Sequence, residues 1–109
     1  MVAPASPLEH RLLETLHDVE DAELPLDVVD LGLIYGIRYR EPDGHVDVDM
    51  TFTAMGCPAM DFMVHDVRVR LLQEPEVRSV SVAVVWDPPW NRSRLSPRGS
   101  AALSTWGIV

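Results

Sequence analysis

Cys57 is the single thiol in a chain of 109 residues, and it stands where a thiol can do chemistry. Gly56 precedes it and Pro58 follows, between a segment patterned as a strand and one patterned as a helix. At a helix start, unpaired backbone amides and the positive end of the dipole stabilise a thiolate. That lowers the thiol pKa and makes the sulfur a better nucleophile and a better soft-metal ligand. A lone cysteine can equally be a small buried hydrophobe, so position alone leaves both readings open. One thiol forms no intramolecular disulfide and builds no cysteine-rich zinc or iron–sulfur site within one chain. Ligation through sulfur therefore requires a second chain or a small-molecule ligand to share the site.

Other side chains invite the same question. Glu20, Asp21, Glu23, Asp27 and Asp30 crowd a region that Pro25 and Gly32 keep out of regular helix. Such carboxylates bind cations or, as a plainer reading, face solvent and cap a helix. Cys57, Asp61 and His65 follow at i, i+4 and i+8, which would put three ligands on one helical stripe. Asp61 and His65 also fit an exposed polar face opposite Met60, Val64 and Val67. His10, His17 and His45 have no evident partners. No Gly-x-Ser-x-Gly, phosphate-cradling glycine loop or recognisable Cys-His pairing is present, so a self-contained enzyme is not expected. Trp86 and Trp90 flank Asp87-Pro88-Pro89, a rigid turn suited to a core lid or to a partner surface.

Positioning these groups falls to one small domain, since 47% hydrophobic and 24% charged residues are ordinary for a globular protein of this size. The net charge is −8, and every basic residue is arginine. Nucleic-acid binding is not expected, because it needs a clustered basic face. The local cluster Arg92, Arg94 and Arg98 reads as a solvated stretch. Apolar runs such as residues 82–86 fall far short of the roughly 20 residues that span a bilayer, so no membrane partner is expected. The first residues lack the basic and apolar regions of a secretory signal, which points to the cytoplasm.

Ser6-Pro7-Leu8-Glu9 reads as a capping box that opens a first helix. Leu8, Leu12, Leu13, Leu16 and Val19 form its apolar stripe. Leu33 to Arg40 and Val46 to Thr53 read as hairpin arms joined through Pro42-Asp43-Gly44. The second arm alternates strictly, with Val46, Val48, Met50 and Phe52 on one face and Asp47, Asp49, Thr51 and Thr53 on the other. A second helix opens at Pro58, carries Met60, Met63, Val64, Val67 and Leu71 inward, and ends by Pro75. A third strand runs from Ser79 to Trp86. Ser96-Pro97 starts a short, frayed helix through Leu103. The order α-β-β-α-β-α predicts an α+β, two-layer domain with a small three-stranded sheet and helices on one side. If strands two and three are parallel, the crossover between them is right-handed. The strand order itself does not follow from the sequence.

Three segments together carry a family resemblance: residues 21–35, with Asp21-Ala22-Glu23 and Asp30-Leu31-Gly32-Leu33-Ile34-Tyr35; residues 50–58, Met50-Thr51-Phe52-Thr53-Ala54-Met55-Gly56-Cys57-Pro58; and Val85-Trp86-Asp87-Pro88-Pro89-Trp90. They resemble the SufT/PaaD-like family of metal–sulfur cluster biosynthetic proteins over residues 8–104. The resemblance implies a fold similar to scaffold-type cluster assembly domains and an accessory role in iron–sulfur protein maturation, without enzymatic turnover. It makes Cys57 a ligand for iron or a labile cluster, or a contact to a client. Glu23 and Asp30 match its acidic positions, while Thr51, Thr53, Gly56 and Pro58 match the residues around the cysteine. Its implied partners are iron–sulfur assembly proteins and client apoproteins, with iron or a labile cluster shared between chains, as in a homodimer, and none tightly held. Ala22 replaces a usual proline and Asn91 a usual threonine. The cysteine-rich extension of PaaD proteins is missing, so a SufT-like general role fits better than a helper of the phenylacetate oxygenase. A metal-free adaptor, gripping clients through a surface such as Trp86, Asp87 and Trp90, is the alternative. A thiol-dependent redox enzyme is a third reading, and would need a depressed Cys57 pKa.

Overall fold

The computed structural model describes residues 4–21, 26–53 and 60–105. Glu23, Gly56, Cys57 and Pro58 lie outside them.

Helix α1 spans Pro7–Thr15 and begins as its sequence requires. The Ser6 hydroxyl accepts from the Glu9 amide at 3.1 Å, and Pro7 occupies the first turn. Glu9 reaches back over the helix start and accepts from the Ala5 amide at 2.9 Å. The helix stops at Thr15, and Leu16–Asp18 continue as a 3-10 turn that keeps Leu16 and Val19 buried.

Strands β1 (Ile34–Arg40) and β2 (His45–Met50) form the expected antiparallel hairpin. Its turn ends at Gly44, whose φ of +66° favours glycine. Strand β1 pairs irregularly between Ile34 and Gly36, so Tyr35 is an extra residue on that strand. Helix α2 is described over Met60–Leu72, with Met63, Val67 and Leu71 buried and Met60 and Val64 packed at the margin of the core. Asp61 and His65 lie on its exposed side, as the polar-face reading expected. Strand β3 (Ser79–Val84) pairs parallel to β2, giving the order β1-β2-β3.

The registry of β2 decides which face is which. Val46, Val48 and Met50 are fully buried and sit beside Val80, Val82 and Val84 of β3. The helices cover this face, α1 packing on β1 and α2 on β3. The opposite face carries charge pairs, Arg38 with Asp49 (2.9 Å) and Arg40 with Asp47 (3.6 Å), and stays partly open. The three-stranded α+β architecture is therefore the one expected, with helices on one side.

Two expectations need correcting. Helix α3 spans Pro97–Thr105 and is docked rather than frayed: Leu103 is buried, and Gly99 packs so closely that a Cβ there would sit 2.7 Å from the Asp30 carbonyl. His45 has partners, Ser79 Oγ (2.6 Å) and Asp47 Oδ1 (3.1 Å), because the parallel registry places Ser79 beside it.

Candidate functional site

Residues 26–33 form the hub of the described structure. After the isolated pairing of Glu20 with Asp27, the chain turns tightly and exits through Gly32, whose φ is +74°. Asp27 builds the turn by accepting from the Val29 amide (2.9 Å) and the Asp30 amide (2.8 Å) through Oδ1. Leu26, Val28, Val29, Leu31 and Leu33 are all buried, so the turn lies in the core and brings both aspartates inside with it.

Asp27 and Asp30, only 8% and 4% exposed, therefore converge on a common point. Asp27 Oδ2 lies 3.1 Å from His17 Nδ1 and 3.3 Å from the Arg98 guanidinium. Asp30 accepts from Ser96 Oγ and from Arg98 Nε, each at 2.8 Å. Burial pushes the Asp30 carboxyl up, but the hydrogen bonds from Arg98 and Ser96 outweigh it and hold the group below its ordinary value. His17 Nδ1 also lies 3.1 Å from Arg98. A proton on that nitrogen serves Asp27, and a lone pair serves Arg98, so the ring can satisfy one at a time. A cavity of about 320 Å³ opens beside the cluster, lined by His17, Glu20, Leu26, Asp27, Asp30, Arg98 and Ala102.

His17, Asp27 and Asp30 offer one nitrogen and two oxygens within 4.8 Å of one another, a donor set compatible with a divalent cation. The positive charge among these oxygens is Arg98, which completes the cluster from α3. Two expectations fall here. His17 is not without partners, and Arg98 is not merely solvated, because the turn and the start of α3 close on each other. A sequence signal existed: Ser96-Pro97-Arg98 places an arginine one residue beyond a helix start. The acidic partner, 68 residues away, could not be read from it.

The same hub reaches the approach to Cys57. The Thr51 amide donates to the Leu33 carbonyl at 2.8 Å, and Phe52 is buried beyond it. Thr51 is fully buried, and its hydroxyl has no partner among the described residues. Thr53 is exposed. In the sequence Cys57 stands between two residues that the core holds, Phe52 and Met63. Strict alternation had assigned Thr51 to an open face, but β2 ends at Met50 and the pattern lapses there.

The tryptophan turn divides. Trp90 donates to the Leu31 carbonyl (2.6 Å) and packs on the core, while Tyr35 Oη donates to the Pro88 carbonyl (2.7 Å). Trp86 is 36% exposed and leans on Phe52, their ring centroids 6.1 Å apart. Asp87 is exposed. The core-lid reading thus holds for Trp90, and Trp86 with Asp87 forms the outward part. Arg94, also expected to be solvated, lies 4.6 Å over the Tyr35 ring.

Comparison with known proteins places this arrangement. Residues 9–84 match a family described as iron–sulfur cluster assembly protein. The chain is similar to the Fe-S protein maturation auxiliary factor YitW of Bacillus subtilis, 40% identical over 96 residues that cover 88% of this chain and 93% of the relative. It is 39% identical to the Fe-S protein maturation auxiliary factor SufT of Staphylococcus aureus, over 78% of this chain and 96% of that one. The crystal structure of a domain of unknown function, DUF59, from Bacillus anthracis superposes with a TM-score of 0.84 at 39% identity, covering 88% of this chain and 91% of the other.

Proposed function

The chain belongs to the iron–sulfur cluster assembly protein family, and from that premise we propose that it is an auxiliary factor in the maturation of iron–sulfur proteins, acting without enzymatic turnover. The observation that carries this reading is the match to maturation factors over more than nine-tenths of their length, 93% and 96%. Iron or a labile cluster is then cargo, and Cys57 is its point of contact.

The chain's own chemistry supports a transient contact rather than a resident cluster. A cluster normally takes four protein ligands and this chain supplies one thiol, so the others come from a second chain, a client or a small thiol. The chain's partners are assembly proteins and client apoproteins, in the cytoplasm. Trp86, which leans on Phe52, and the exposed Asp87 that follows it supply an apolar and an anionic contact for the same partner.

Anaerobic incubation of wild type and Cys57→Ala with ferrous iron, sulfide and a small thiol tests the assignment of Cys57. Iron and sulfide per chain and visible absorption are the readouts. Uptake by wild type and its loss in the variant is the expected result. Equal uptake by both removes Cys57 as the cargo ligand, and no uptake by either leaves a metal-free adaptor that grips clients through the tryptophan surface.

A further inference from the structure

The two edges of the sheet are treated differently. On β1, the amide of Tyr39 is taken by the chain itself: Glu9 Oε2 accepts from it at 2.8 Å. Arg38 and Arg40 add charge to the same strand. Strand β3 is the other edge, and among the described residues it has neither protection. Ser79 donates to the Gly44 carbonyl and Val85 to the Met50 carbonyl, so odd-numbered residues turn their backbone groups toward β2. By the period-two alternation of a strand, Val80, Val82 and Val84 turn theirs outward. Among the described residues nothing covers those groups. Natural edges are usually blunted by charge, proline or a bulge. Ser79-Val80-Ser81-Val82-Ala83-Val84-Val85-Trp86 contains none of the ionisable residues or prolines that would do so, in a chain of net charge −8.

We infer that β3 pairs antiparallel with β3 of a second copy of this chain, joining two three-stranded sheets across a two-fold axis at Val82. The occupant follows from self-complementarity. With Val82 opposite its own copy, Val80 falls opposite Val84, and each outward-facing valine exchanges both backbone bonds with its counterpart. Their side chains all lie on the helix-covered face, so valine meets valine across the new pair. This covers Val84, which is 37% exposed in the single chain. On the other face Ser81 meets Ala83, both small enough for close approach. A chain with this much negative charge repels its own copy over most of its surface, whereas these residues bring no charge to the contact. An unrelated extended peptide could use the same edge, and the test separates the two.

The experiment is sedimentation equilibrium of the full chain over a wide concentration range, on wild type and two double variants. Ser81→Lys with Ala83→Lys sets like charges opposite each other across the axis, while each lysine stands beside Asp47 or Asp49 of its own β2, which favours folding. Ser81→Lys with Ala83→Glu sets opposite charges across the same axis. Wild type is expected to be a dimer. The dissociation constant should rise about tenfold or more in the first variant and recover in the second, with circular dichroism and melting behaviour of a folded protein in both. A wild type that stays monomeric at hundreds of micromolar overturns the inference and leaves the edge to peptides. A dimer indifferent to the lysine pair in a folded variant overturns it too.

Discussion

Glu9 is a buried carboxylate that ties the first helical turn to the sheet. Its oxygens accept from the Ala5 amide (2.9 Å) and the Tyr39 amide (2.8 Å), and only 7% of the residue is exposed. The Tyr39 amide, opposed by burial and helped by Ala5 and Ser6, holds the carboxyl below its ordinary value of 4.5. Replacing it by glutamine keeps one acceptor and turns an NH2 group toward the amide that loses its partner. A charge-assisted hydrogen bond contributes about 1.5–3 kcal/mol, and an unpaired donor costs a similar amount. Taking the low end, because a first helical turn admits solvent, Glu9→Gln should cost about 2 kcal/mol. For a domain near this size that lowers Tm by roughly 8–16 °C. The sign with pH follows from the depressed value. The stabilisation is fully present above 4.5 and is lost as pH falls through the lower value of the folded state. Urea unfolding of both proteins at pH 7, repeated at falling pH while both remain two-state, should show a difference that shrinks with acid. A difference below about 0.5 kcal/mol at pH 7, or one that does not change with pH, would refute the reasoning.

Further predictions concern the hub. Arg98→Ala should raise the pKa of the Asp30 carboxyl, read by NMR titration, and speed amide exchange in Pro97–Thr105 while leaving the β1–β2 hairpin protected. Unchanged exchange in the helix would mean that Arg98 does not hold it. Gly32→Ala should destabilise by at least about 2 kcal/mol in urea, because φ is +74° and a Cβ would fall 2.1 Å from the Arg94 carbonyl oxygen. A neutral substitution would show that residues 91–99 do not pack against the turn.

Local rules carried the sequence reading as far as local rules act. Ser6 caps α1, Val46, Val48 and Met50 line the buried face, and Pro42-Asp43-Gly44 turns the hairpin, because each signal lies within a few residues of its effect. The α+β architecture followed from that order. Strand order did not, since it depends on the parallel pairing of β2 with β3 across the whole of α2. The site was legible in its types and not in its pairings. Asp27 and Asp30 were singled out as acidic, yet their burial depends on a turn folded into the core. Their partners His17 and Arg98 come from opposite ends of the chain. Glu9 was read as half of a capping box, and its second contact, 30 residues on, carries as much weight. Cys57 was singled out by its uniqueness and its place in the sequence between a strand pattern and a helix pattern, and it lies outside the described residues.

The central claim is a role in iron–sulfur protein maturation, and its most direct test is made in cells. In a host lacking its own copy of this protein, the activity of several iron–sulfur enzymes in anaerobic extracts would be compared with their protein levels, with wild type or Cys57→Ala supplied on a plasmid. Without the chain the enzymes should show low activity at normal protein level, restored by iron and sulfide added to the extract, rescued by wild type and not by Cys57→Ala. Full activity of those enzymes in its absence would contradict the maturation role, and full rescue by Cys57→Ala would contradict the assignment of the thiol.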